Sequence, residues 1–216
     1  KPRDIVSGDF YWMMKKNNRL YVVAADCTGH GVPGAFMSLL GMSFLDEIID
    51  KESAPRADHV LSELRLHVTE SLKQVGGDDE AKDGMDMSLL VVDFNSSRIE
   101  FSGAYNPLFI FQEGEFKEYK ADRMPIGIYY GEKKVFTNYE INVKKGDTIY
   151  IFSDGLADQF GGPDGVKYKI SNLKNLLSAI HSKPMTEQRV IIENEFANWK
   201  GSFEQVDDIT VIGVRI

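Results

Sequence analysis

Between residues 85 and 154 the chain reads as six short strands in succession, and this run limits the fold more than any other feature of the sequence. The segments MDMSLLVVDF, RIEFSGAY, LFIFQ, FKEYK, VFTNYEINV and TIYIFSDG are broken by polar turns such as NSS, EGE and KKGD. Turns this short join antiparallel neighbours, since a parallel crossover needs a dozen or more residues. Upstream, DIVSGDFYWMMKKNNRLYVVAAD reads as two further strands joined by the polar KKNNR. From Pro33 the pattern turns helical, with Phe36, Leu39, Leu40, Phe44, Leu45, Ile48 and Ile49 on one face. A second helix after Pro55 carries Val60, Leu61, Leu64, Val68, Leu72 and Val75 and stops at GGDDEAKDG. ADQFGGPDGVKYK reads as a flexible surface loop. Two more helices follow, one with Leu173, Leu176, Leu177 and Ile180 and one with Val190, Ile191, Phe196 and Trp199, before a last strand, DITVIGVRI. This order does not alternate strand and helix as a doubly wound fold would, so the expectation is an α+β fold of mostly antiparallel sheets with helices packed outside them.

A chain of 216 residues, 43% hydrophobic, suffices for one domain spanning 1–216 with a large core. Its formal charge is -8 and no basic run exceeds a pair such as Lys15-Lys16, which argues against a nucleic-acid partner. The single cysteine, Cys27, leaves no internal disulfide and fits a reducing compartment. Apolar runs such as LLVV are too short to span a bilayer and the N-terminus has no signal-peptide pattern. The expectation is a soluble, cytoplasmic piece without membrane insertion. Because Lys1 is not an initiator Met, it is read as the output end of a longer protein, whose upstream sequence could carry a sensor or a membrane tether.

Aspartates recur where apolar strands meet turns: Asp9 in VSGDFY, Asp26 in VVAADCTG, Asp154 in YIFSDGL, and Asp207 with Asp208 in EQVDDITVIGV. Asp is common in turns, where it caps backbone groups, and each motif alone carries no more than that. Brought to one rim, however, such carboxylates cannot stay ionised without positive charge, and hard Mg²⁺ or Mn²⁺ is the natural partner. The loop after Asp26, CTGHGVPGAF, holds Gly29, Gly31 and Gly34. They are expected to clear space for metal waters and substrate beside the bending backbone.

SGDFY, DCTGHGVPGAFMS, SGAYNPLFI, MPIGI, IFSDGL and DDITVI, in this order and spacing from Ile5 to the C-terminus, resemble the SpoIIE/RsbU-type branch of the metal-dependent (type 2C) protein serine/threonine phosphatases. The resemblance implies a four-layer αββα sandwich with a two-metal centre at one end, holding Mn²⁺ or Mg²⁺. It makes Asp26 the carboxylate bridging both metals, with the Cys27 carbonyl as a further oxygen ligand. Asp9 would hold one metal, and Asp154 and Asp207 the other. Asp208 would stand behind the ligands, with the choice within the 207/208 pair left open, and His30 and Gly155 are further candidates near the site. The implied reaction is hydrolysis of a phosphoserine or phosphothreonine by a water activated between two cations, with no phosphoenzyme. Similar proteins act on phosphorylated STAS-type anti-sigma-factor antagonists, which implies a phosphoprotein partner, an upstream regulatory domain and potentially a homodimer.

Other chemistries fit less well. A cysteine phosphatase carries an Arg six residues after its nucleophile, and that position after Cys27 is Pro33. Eukaryotic type 2C relatives place a His two residues after the bridging Asp, whereas His30 follows Asp26 by four, so His30 is read as loop architecture. His59, His67 and His181 fall on helical segments. No HExxH, Walker-A or GxSxG pattern occurs. Many members of the branch read GDFYD where this chain has Trp12, so one accessory acid is missing. Asp86 in DGMDMS is open between a place near the site and a strand start facing water, and Arg3 between a phosphate contact and a solvated terminus. A non-catalytic scaffold domain of the same fold is the alternative reading.

Overall fold

The structure, a computed structural model, describes residues 1–51, 53–74, 83–131 and 135–216. In chain order its elements are β1 (Phe10–Lys16), β2 (Arg19–Cys27), α1 (Gly31–Lys51), α2 (Ala57–Ser71), β3 (Gly84–Asp93), β4 (Arg98–Ala104), β5 (Leu108–Gln112), β6 (Glu115–Tyr119), β7 (Ile126–Gly127), β8 (Tyr139–Asn142), β9 (Thr148–Phe152), α3 (Gly155–Asp158), β10 (Phe160–Gly161), β11 (Val166–Lys167), α4 (Lys169–Ile180), α5 (Met185–Lys200) and β12 (Val211–Arg215). One sheet runs β1-β2-β3-β4-β8, with β7 on β3, and the other β12-β9-β5-β6, every pairing antiparallel. The first hairpin turns at Asn17 and Asn18, both at positive φ, as a two-residue connection between right-twisted strands requires.

The four-layer sandwich follows from how the strands divide their side chains. In β2, Tyr21, Val23, Ala25 and Cys27 join a core shared with α1 and α2, while Val22 and Ala24 face the second sheet. In β3, Met87, Leu89 and Val91 take the helix side and Leu90 and Val92 the sheet side. In β9, Ile149 and Ile151 enter the middle core while Tyr150 and Phe152 pack toward α4 and α5. A strand covered on both faces needs apolar residues at consecutive positions, which is why LLVV and TIYIF do not alternate. Each such side chain stabilises the fold by roughly 1.5–3 kcal/mol relative to exposure, so the three cores dominate what holds the layers together.

Several elements depart from the sequence reading. α1 begins at Gly31 and turns Gly34, Met37, Ser38 and Gly41 inward along its first half, leaving Phe36 68% and Leu39 61% exposed. The helix lies too close for large residues there: a Cβ on Gly41 would stand 2.9 Å from the Met85 side chain. Val190 is likewise on the outer face of α5. ADQFGGPDGVKYK holds the end of α3 and the β10–β11 hairpin, and is ordered by the Tyr168 N–H bond to the Gln159 carbonyl. Val75 and most of GGDDEAKDG lie outside the described residues. Although no unbroken apolar run stands out, α1 is 21 residues with a mean hydropathy of 1.4 over its most apolar stretch, long and apolar enough to cross a membrane. In this fold it packs Leu45, Ile48 and Ile49 against the first sheet.

Candidate metal centre

Four of the five expected ligand residues meet at one end of the sandwich. A cleft of about 300 Å³ is lined by Asp26, Cys27, Thr28, Gly29, His30, Asp86, Asp154 and Asp207. Asp26 arrives near the end of β2, Asp154 just after β9, and Asp207 shortly before β12. Asp9 lies behind these, 7% exposed, immediately before β1. Its Oδ2 accepts from the Ser153 hydroxyl, which in turn accepts from the Thr210 N–H at 2.9 Å. Its Oδ1 is buried with no hydrogen-bond partner.

The electrostatics are those of crowded acids. Burial, then the charges of Asp9 and Asp154, a hydrogen bond from its own acid form to Asp154, and Asp207 hold the Asp26 carboxyl well above the ordinary carboxylate range. Asp9 is raised by burial against the opposing bonds from Ser153 and Thr210. Asp154 is raised by desolvation, against the opposing hydrogen bond from Asp26, although the residue as a whole reaches solvent. Asp86, the cross-strand partner of Asp26 in the β2–β3 ladder, is pushed up to about 7 by burial and by Asp154. The sequence left Asp86 open; the structure puts it in the cleft.

Asp207 and Asp208 separate cleanly. Asp207 lines the cleft, whereas Asp208 is 2% exposed and accepts from the Arg3 and Gly8 backbone N–H groups, each at 2.6 Å. Gly155 sits under that corner, where a Cβ would stand 1.9 Å from the Asp208 carbonyl oxygen. Gly29 lines the cleft with nothing within 4 Å of where a Cβ would stand, and the loop glycines also have backbone roles. Gly29 and Gly31 adopt φ of +83° and +65°, and a Cβ on Gly34 would stand 2.3 Å from the Gly29 carbonyl oxygen and 2.8 Å from the Gly8 Cα. Gly34 thus lets the loop, the start of α1 and the SGD segment touch backbone to backbone. The Ser38 hydroxyl, which donates to the Gly8 carbonyl at 2.6 Å, fastens the same junction. His30 pairs with Asp4 at 2.8 Å on the exposed side of the loop. Arg3 donates from Nη1 to the Val206 carbonyl at 3.0 Å. Trp12 is buried and donates to Asp46 at 2.9 Å, tying β1 to α1. The Cys27 thiol is pushed up to about 12 by burial, which leaves no thiolate for nucleophilic attack.

A family model described as Stage II sporulation protein E (SpoIIE) matches residues 16–216. The chain belongs to the SpoIIE family. Phosphoserine phosphatase RsbU of Bacillus subtilis (strain 168) is 24% identical over 164 residues, covering 73% of this chain and 44% of RsbU. The chain thus spans less than half the length of that relative. Among solved structures, the SiaA-PP2C domain of Pseudomonas aeruginosa superposes with a TM-score of 0.89 at 30% identity, over 100% of this chain and 83% of that one. The PP2C phosphatase domain of SpoIIE from Bacillus subtilis, with a fragment of its regulatory domain, gives 0.77 at 22% identity, over 99% and 59%. The α+β sandwich of this SpoIIE-family chain is therefore the PP2C fold.

Among the described residues, no group of three or more His, Cys, Asp or Glu side chains is arranged to hold a metal ion as placed. The donor chemistry nonetheless fits divalent cations. All the candidates are hard oxygen donors, one buried oxygen of Asp9 is orphaned, and among the described residues no Lys or Arg lines the cleft to neutralise the acids.

Proposed function

We propose that this chain is a metal-dependent protein serine/threonine phosphatase domain that removes phosphate from a phosphoserine or phosphothreonine of a bacterial signalling protein, such as a STAS-type anti-sigma-factor antagonist. The observation that carries this reading is the convergence of Asp26, Asp154 and Asp207 on one cleft with Asp9 and its orphaned oxygen behind them. Asp26 would bridge two cations, Mn²⁺ or Mg²⁺, with Asp9 on one and Asp154 and Asp207 on the other, and the Cys27 carbonyl as a further donor. When bound, the cations supply positive charge to a dianionic phosphate and lower the pKa of water. The chain's own part is to hold the donors. Ser153 keeps Asp9 facing the site by its hydroxyl bond, and Asp208 pins the Arg3 to Gly8 segment that leads into Asp9. A non-catalytic scaffold would have no use for these crowded acids, whose charged forms are costly to bury. An upstream regulatory segment and a second copy of the chain would govern access to the site in the cytoplasm.

Release of phosphate from p-nitrophenyl phosphate and from a phosphoserine peptide tests the reading. Turnover is expected with Mn²⁺, none with chelator, and a loss of at least about a hundredfold in Asp26→Ala and Asp154→Ala. Metal-independent turnover, or full activity in either variant, would refute it.

A further inference from the structure

Asp26, Asp86, Asp154 and Asp207 line the cleft, Asp9 stands behind them, and among the described residues no Lys or Arg lines it. Two divalent cations would at most balance those five carboxyls, so a dianionic phosphate entering beside them gains from a further positive charge. Such a charge stands one helical turn away. α3 follows Asp154 directly, and the Asp158 N–H donates to the Asp154 carbonyl at 3.0 Å, which sets the two carboxylates one above the other on a single turn. Lys167 of β11 donates from Nζ to Asp158 Oδ2 at 2.6 Å.

The side chains of Lys167 and Asp158 are 46% and 44% exposed, and an ion pair so open to solvent adds little stability and parts readily. The backbone under Lys167 is, by contrast, fixed. Phe160 and Lys167 face each other across the β10–β11 ladder, with the ammonium 6.0 Å from the Phe160 ring. Behind the ladder the Gly162 N–H donates to the Trp199 carbonyl at 2.8 Å, and the Trp199 indole N–H donates to the Gln159 carbonyl at 3.1 Å. A Cβ on Gly161 would stand 1.9 Å from the Trp199 carbonyl oxygen, so the hairpin sits hard against the end of α5. A flexible four-carbon stem on a fixed strand lets the ammonium pass from one anion to another without moving the backbone. Its charge already reaches the cleft: the Asp154 carboxyl, raised by burial, is drawn back by its bond to Asp26 and, to a lesser degree, by Lys167.

We propose that Lys167 is a substrate-binding residue, which leaves Asp158 to pair with a non-bridging oxygen of the substrate's phosphate. The inference rests on the phosphatase reading above and adds to it the means by which so acidic a site holds a dianionic monoester. Asp158 is then a competitor that holds the ammonium while no phosphate is present. One contact to one oxygen suits a lysine, a point charge with rotatable donors, and needs no guanidinium fork. The exchange also separates this role from that of a plain structural pair. Losing either partner of a structural pair loses the same contact, whereas exchange makes the two residues act in opposite directions on phosphate affinity.

Calorimetric titration of the Mn²⁺-loaded protein with inorganic phosphate, together with KM and kcat for p-nitrophenyl phosphate, tests this. Lys167→Gln should weaken phosphate binding and raise KM about tenfold while changing kcat less than about threefold, with Mn²⁺ affinity and melting temperature as in the unaltered chain. Asp158→Asn should tighten phosphate binding about threefold, and that gain should largely disappear in the double variant with Lys167→Gln. Equal phosphate affinity in Lys167→Gln and the unaltered chain, weaker binding in Asp158→Asn, or a loss confined to Mn²⁺ affinity each overturns the proposal. An unaltered chain that binds phosphate through Lys167 yet shows no Mn²⁺-dependent turnover would refute the phosphatase reading and leave this site standing. A chain that neither turns over nor binds phosphate overturns both.

Discussion

At Asp26 the protein holds an acid that burial and three neighbouring carboxyls keep protonated above its ordinary value of 3.8, and Asp86 opposite it is raised to about 7. Raised acids bind more protons in the folded than in the unfolded state, so the metal-free protein is most stable below the unfolded value and loses stability as pH rises through the folded ones. With chelator present, melting temperature should therefore fall between pH 5 and pH 8, and saturating Mn²⁺ should abolish the fall, because the cation replaces the protons. Thermal melts across that range check both halves, and a flat profile in chelator would count against the crowding. Asp26→Asn removes the charge while keeping the shape. It should raise the chelated melting temperature at pH 8, by about 2–4 °C for each kcal/mol in a domain of this size, and erase stabilisation by Mn²⁺. Asp26, Asp154 and Asp207 were legible as candidates because each follows or precedes an apolar strand. Asp86 stayed open between the site and a strand start facing water, since its place depends on the β2–β3 register, set by strands with two helices between them in the chain.

Among the elements, the loop from Thr28 into α1 is where local rules and packing pull apart. A helical face drawn through Phe36 and Leu39 obeys periodicity, yet the helix presents its small residues inward because Gly34 and Gly41 must meet backbone and the Met85 side chain at close range. The apolar pattern of the second half, Leu45, Ile48 and Ile49, was legible because packing there asks for ordinary large residues. Gly34→Ala tests the close approach: its methyl would overlap the Gly29 carbonyl, and neither backbone segment can yield without moving the metal loop. We expect a loss of about 1–3 kcal/mol or more in urea unfolding, together with weaker Mn²⁺ binding by calorimetry. An alanine at Gly29, where nothing stands within 4 Å, should cost only the strain of φ +83°.

Over the whole molecule, antiparallel sheets with helices outside them could be read from the chain, because short turns and two-sided burial write themselves as strands and unbroken apolar runs. The four-layer order came with the family resemblance, since the strands of the two sheets are interleaved along the chain. The meeting of the chain's ends could not be read, since nothing local in KPRDIVSGD reveals that Asp208 will claim its amides. That carboxylate accepts from Arg3 and from Gly8, across 205 and 200 residues of sequence, and so closes the N-terminal segment over the C-terminal one just behind the cleft. Hydrogen bonds to a buried charged acceptor are each worth about 1.5–3 kcal/mol. Asp208→Asn keeps one accepting oxygen but turns an N–H₂ toward a second backbone donor, so it should destabilise by a comparable amount, and Asp208→Ala by at least as much. Because Gly8 precedes Asp9 directly, both variants should also weaken Mn²⁺ binding, while Asp207→Asn should weaken it with no loss of metal-free stability. Calorimetric titration paired with chelated melts separates the two aspartates. If Asp208→Asn left both quantities unchanged, the clamp between the termini would have no part in holding Asp9 toward the metal centre.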